Sequence, residues 1–284
     1  MAKKNEEDEM TSSTTVLTVF MFIFAAYYVI RFFLADNYAV KKNSVMGVPL
    51  TILAFAIVFL FQLTTNIKNT RVLCGNVQFG SAAWYTTLPF ILIIGTLVVA
   101  MTLFPGWKQP FSNTLGYLLV KLMGVDTTFN NMLKTKAGNN KLLQKVYQDK
   151  SILINLMTPG PTGTFNKVIT QLAGGDTKPQ QTGGAMIQQQ AVPNINAGSG
   201  IFNSKYQEFI PELYNFVLVK DYVAEYMWFI LAGFLTIQTS FNSIVGIECK
   251  KTEEQLSKSV ADFNARQKEM LRKKKPAQTY KVFD

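Results

Sequence analysis

Residues 84–103 read WYTTLPFILIIGTLVVAMTL and hold no charged side chain. At about 1.5 Å of rise per residue, such a run makes about 30 Å of helix, the thickness of a bilayer's hydrocarbon core. Trp84 and Tyr85 open it and Trp107 follows it; aromatic rings with a polar edge favour the headgroup level. A buried helix of a soluble domain has the same composition, but three more apolar runs occur, at residues 14–34, 46–63 and 222–247. Together they predict an all-α membrane protein with four transmembrane helices, a small helical extramembrane region and a flexible Gln/Gly-rich loop.

Only about half of the 284 residues lie outside these runs, so any soluble domain is small. The chain has no histidine and two cysteines, which removes the commonest general base and leaves too few thiols for a metal site. No phosphate-binding glycine loop, GxSxG or HExxH motif occurs. Inside the runs the ionisable residues are Arg31 and Glu225, both near span ends, whereas ion-coupled transport generally needs charge at mid-depth. The expectation is no enzyme, no cofactor and no metal. The net charge of +10 suits anionic lipid headgroups, and no nucleic acid is expected as a partner.

Taken in order, residues 1–13 are polar and predict a disordered lead, followed by an uncleaved first anchor whose Arg31 carries its charge to the interface. Three spans with short loops occupy residues 14–103, and Pro89 predicts a kink in the third. Residues 64–83, with Gly75 and Gly80, predict a turn-rich loop. Residues 104–173 predict an extramembrane helical region. Its first helix, with Leu115, Leu118, Leu119, Leu122 and Met123, is either interfacial or the start of a small domain; Asn113 and Asp126 are candidate caps. Residues 174–200 are a low-complexity run, including QQTGG and IQQQ, that serves either as a flexible loop or as a segment that orders on a partner. Residues 201–247 predict a long helix opened by Pro211 and ending in the fourth span. Residues 248–284 form a basic amphipathic tail with Leu256, Val260, Phe263 and Met270 on one stripe.

Few residues stand out as functional. Gln238 and Asn242 lie one turn apart in the fourth span and predict a contact with another span or subunit, hence a homo-oligomer or a polar channel lining. Arg272, Lys273, Lys274 and Lys275 are candidate lipid-headgroup contacts. Four spans put both termini on one face, which the basic tail assigns to the cytosol. Cys74 and Cys249 fall on that same face near the interface, either as two inert thiols or with Cys249 acylated.

The run CGNVQFGSAAWYTTLPFILIIGTLVVA (residues 74–100), the FPGWKQPF break and the Gln/Gly-rich loop give a layout that resembles the transmembrane minor capsid proteins of large icosahedral algal DNA viruses, the chlorella-virus group. That resemblance implies a virion inner membrane beneath a capsid shell, with minor proteins joining the two, and no catalytic residues. The reading is a structural tether whose partners are a lipid bilayer and capsid or other coat proteins, residues 104–221 being the main binding surface. The alternatives are an oligomeric channel or small-solute transporter and a cellular four-span scaffold or trafficking protein.

Overall fold

A computed structural model describes residues 10–36, 38, 47–134, 141–160, 163–174 and 200–249, and helical positions between 257 and 270. The chain is an all-α membrane protein: four helices are long and apolar enough to cross a membrane. Among the described residues the one β pairing is an isolated bridge, Leu133 to Phe202.

Helix α1, Ser13–Arg31, opens on Ser12, whose hydroxyl accepts from the Thr15 amide at 3.2 Å. It ends in a π turn, Phe32–Asp36. Helix α2 runs Gly47–Cys74 and helix α3 runs Phe79–Leu103. The turn-rich loop expected over residues 64–83 is therefore almost entirely helix. The reversal needs only residues 75–78, because Gly75 adopts φ 72° and closes the end of α2 in a conformation that costs other residues energy. Pro89 has the expected effect in a specific form. It has no N–H to donate, and the helix continues past it as a wide π turn, Phe90–Gly95.

Above the third span, α4 occupies residues 109–122 and again contains a π turn, Ser112–Gly116, shortly after Pro110. Helix α5, Val125–Met132, starts from Gly124 at φ 101°, so this glycine and not Asp126 stands at the cap. Helices α6 (Lys141–Gln148), α7 (Ser151–Asn155) and α8 (Phe165–Leu172) follow. Val120, Phe129, Met132, Leu153, Ile154, Phe165, Val168 and Leu172 are buried here with Leu213 and Val217, in a core that continues along α9 into the membrane bundle.

Helix α9, Ile210–Val245, is the axis of the molecule. Its 36 residues make about 54 Å, far more than a bilayer needs, so one unbroken helix serves first the extramembrane core and then the membrane. Pro211 lies in its first turn, as expected. Helix α4 packs antiparallel along its upper half. The contact is close enough that a Cβ on Gly116 would lie 2.6 Å from the Lys220 carbonyl oxygen. In the membrane, Gly233 meets the Phe20 ring of α1 in the same manner, at 2.5 Å from its Cβ position.

The ends of the low-complexity run meet. The Ile201 amide donates to the Leu172 carbonyl at 2.9 Å, so the excursion leaves and re-enters the domain at one point. Residues 175–199 themselves lie outside the described residues.

Cys74 and Cys249 form a disulfide, with Cα atoms 5.3 Å apart. This corrects the expectation of two inert thiols and removes Cys249 as an acylation site in this form. It also bears out the shared face, since it joins the α2–α3 reversal to the end of α9. A bridge across 175 residues restricts the unfolded chain strongly, and its loss is expected to cost about 2–4 kcal/mol. Non-reducing electrophoresis of the purified protein should show a compact monomer with no maleimide-reactive thiol until reductant is added. Labelling of both cysteines without reductant would refute the bridge.

Candidate functional site: an ionic cluster at the membrane interface

The site grows from span ends where the sequence marks Arg31 and Glu225, joined by Lys108 and Asp221, which sequence reading passed over. Asp221 and Glu225 lie four residues apart on one face of α9, so both carboxylates point the same way. Opposite them, the FPGWKQP break ends the third span and turns Lys108 inward. Its ammonium donates to Asp221 Oδ2 at 2.6 Å and to Glu225 Oε1 at 3.0 Å. Helix α1 supplies the third side. Arg31 Nε donates to Asp36 Oδ2 at 2.6 Å, its Nη1 donates to the Tyr27 hydroxyl at 2.9 Å, and Nη1 lies 3.9 Å from Glu225 Oε2. The Tyr28 hydroxyl donates to Glu225, and Tyr222 donates to Asp36. Arg31 also stacks over the Tyr222 ring at 5.4 Å.

Arg31 therefore does not simply carry its charge out to the headgroups. The π turn of residues 32–36 brings Asp36 back beneath it, and charge is neutralised inside the protein. Asp221 is a buried residue, 7% exposed, a position where an unpaired carboxylate is costly. For Lys108, burial favours the neutral amine, but the attraction of Glu225 and Asp221 outweighs it and holds its pKa above the ordinary lysine value. The stability this provides is fully present below the unfolded lysine pKa, about 10.4, and is lost only as pH rises through the raised folded value.

Lys220 points the other way, into the domain. It is 2% exposed and donates to the Ile154 carbonyl at 2.9 Å and Asn113 Oδ1 at 3.2 Å. Asn113, read from sequence as a helix cap, is instead a partner that pins α4 and α7 to α9. Trp107 and Trp228 lie at the same level, the Trp228 indole donating to the Trp107 carbonyl at 2.9 Å, which marks this zone as the membrane interface.

A second polar cluster lies toward the opposite face. Asn66 Nδ2 donates to Thr86 Oγ1 and to Ser240 Oγ, both at 2.7 Å, so one amide joins α2, α3 and α9. Asn69 exchanges two hydrogen bonds with the Thr11 backbone, at 2.9 and 3.0 Å. Gln62 Nε2 and Thr236 Oγ1, one turn deeper, are buried without a hydrogen-bond partner among the described residues. Between the two clusters, Phe20, Phe24, Phe55 and Phe229 fill the bundle, Phe24 stacking on Phe229 at 5.0 Å between ring centroids.

The residues singled out in the sequence lie elsewhere. The fourth span presents Thr236 and Ser240 to its neighbours. Gln238 and Asn242 bond to each other at 3.3 Å; Asn242 is exposed, while Gln238 is half-buried and borders a crevice shared with Ser13, Thr14 and Leu17 of α1. Arg272, Lys273, Lys274 and Lys275 lie outside the described residues, while Val260, Phe263 and Met270 are exposed.

Helix α4 has two faces. Ser112, Gly116 and Val120 are buried against α9, whereas Leu115, Leu118, Leu119 and Leu122 are 42, 55, 40 and 78% exposed. That i, i+3, i+4, i+7 spacing makes one continuous apolar stripe. Gly116 is level with Lys220, so Leu118 and Leu122 stand about 10–18 Å beyond the level of Glu225, outside the hydrocarbon.

Compared with known proteins, the chain matches no family model, no curated protein and no solved structure.

Replacing Lys108 by Met should leave Asp221 and Glu225 facing each other without their shared cation and destabilise the protein by about 3–5 kcal/mol. Thermal unfolding in detergent at pH 7 measures it, and adding Asp221→Asn should recover part of the loss. A Lys108→Met protein as stable as wild type would show that the cluster contributes nothing.

Proposed function

We propose that this protein is a structural tether between a lipid membrane and a protein shell, a role akin to the minor capsid proteins of the algal DNA viruses whose layout its sequence resembles. The membrane is then the inner membrane of a virion. The observation that carries the reading is the leucine stripe of α4, uncovered and held beyond the bilayer. Apolar side chains so placed lower the free energy by being covered, and a coat protein supplies the cover. A stripe of four leucines is small, so contact with each copy is modest and the shell gains strength from repetition.

The mechanical arrangement supports the same role. Force applied to the stripe passes from α4 through Gly116 and Lys220 into α9, and α9 continues into the membrane without a break. Lys108 closes the junction from the third span and Arg31 from the first. Against the channel alternative stands the aromatic filling between the two polar clusters, which among the described residues interrupts a polar path within a single chain. The exposed Asn242 remains available for a contact between copies.

The disulfide bears on sidedness. Disulfides persist on the oxidising side of a membrane, which favours the face carrying the termini as that side and the domain as the opposite one. The basic tail argues for the opposite assignment, with cytosolic termini.

Exchanging Leu118 and Leu122 for Glu tests the tether. The double variant should insert, form its disulfide and retain its melting temperature, while its incorporation into purified particles falls to background. Particles carrying the variant at wild-type stoichiometry to the coat would refute docking through α4.

A further inference from the structure

Past the end of α9 the chain is fastened once more. Cys249 is bonded to Cys74, so the segment that follows starts beside the reversal between α2 and α3, at the membrane surface on that face. Ser257 is eight residues further on, a reach of about 28 Å at most. From there to Met270 the described positions are helical, and each is exposed. Val260, Phe263 and Met270 are more than half exposed and recur at steps of three and seven residues, so they share one face, with Gln267 between the last two.

We infer that this helix lies flat on an anionic lipid surface, its apolar face turned into the headgroup region. Charge and reach select that occupant. Residues 250–284 hold ten basic and five acidic side chains, a surplus of five that is half of the chain's net +10. Such a segment gains little from a zwitterionic surface and much from an anionic one. An apolar face alone would suit a second copy of the helix equally well. A paired coil, however, needs its seam sustained over about three or four heptads, whereas residues 257–270 hold two and place Gln267 in the seam. The bilayer asks for no such length, because an interfacial helix draws on apolar burial and on attraction to anionic lipid together. The disulfide supplies effective concentration. It keeps the root of the segment at the surface, so a contact too weak to recruit a free helix suffices to lay this one down. Arg272, Lys273, Lys274 and Lys275 follow Met270 closely in the sequence, so the cations expected to meet headgroups adjoin the apolar residues. The leaflet on the face of the termini must then carry anionic lipid.

The inference does not depend on the tether, and its test needs no coat. The full chain, disulfide intact, is reconstituted at one copy per nanodisc, in phosphatidylcholine alone or in phosphatidylcholine mixed with phosphatidylglycerol. Amide hydrogen exchange of residues 257–270 is then followed by mass spectrometry. Adding phosphatidylglycerol should slow exchange about tenfold in wild type, and raised salt should reverse the slowing. A variant carrying Val260→Ser, Phe263→Ser and Met270→Ser keeps every charge and changes side chains that lie outside the bundle. It should exchange in the mixed discs as fast as wild type does in phosphatidylcholine. Equal exchange of wild type in the two lipids would overturn the proposal. So would a serine variant as protected as wild type, because charge alone would then hold the tail. Protection that arises only when two copies share a disc would assign the face to a second copy and overturn it as well. The wild-type comparison between lipids stands whether or not the variant is tolerated.

Discussion

Lys108 bonded to Asp221 and Glu225 is the contact on which the architecture depends. Charges at the edge of a hydrocarbon core need partners, and the penalty for leaving one unpaired exceeds what a typical side-chain contact returns. The three groups come from the end of the third span and the middle of the longest helix, and Arg31 and Asp36 extend the network to the first span. Because each member is satisfied by the others, the network favours one relative placement of three helices and disfavours near misses.

What the network holds is a junction. Below it, the bundle is sealed by rings, with Phe24 in contact with Phe55 and Phe229. Above it, the extramembrane domain has no separate hinge, since α9 belongs to both parts and α4 lies against it at glycine distance. A domain attached in this way transmits position and force, as the proposed tether requires. Among the described residues, its leucine stripe is left open on a continuous face of α4.

The opposite face is secured by different chemistry. Asn66 joins three spans by side-chain hydrogen bonds, and the Cys74–Cys249 bridge closes the helical hairpin onto the end of α9. In lipid, hydrogen bonds between helices contribute modestly because unfolded states in the bilayer also find partners. A covalent link at the same end adds restraint that does not depend on solvent. One end of the bundle is thus held by charge pairing and the other by amides and a disulfide.

The sequence by itself determined the class of the fold. Four apolar runs about 20 residues long have one stable solution in a bilayer, because a helix alone satisfies its backbone within one segment. The positions of Pro89 and Pro211 and the shared face of the two cysteines followed from local rules that need no tertiary information. The site did not. Lys108 is 113 positions from Asp221 and 117 from Glu225, and each alone reads as an ordinary charge near a span end. The spacing of Asp221 and Glu225 was the one available signal, and its meaning depends on what faces it. The choice between Ser240 and Asn242 as the packing residue rests on helix rotation, which the neighbouring spans fix and the polar pattern of one span does not. Thiol pairing has the same origin, since a disulfide forms from proximity in space, and proximity across 175 residues is decided by packing.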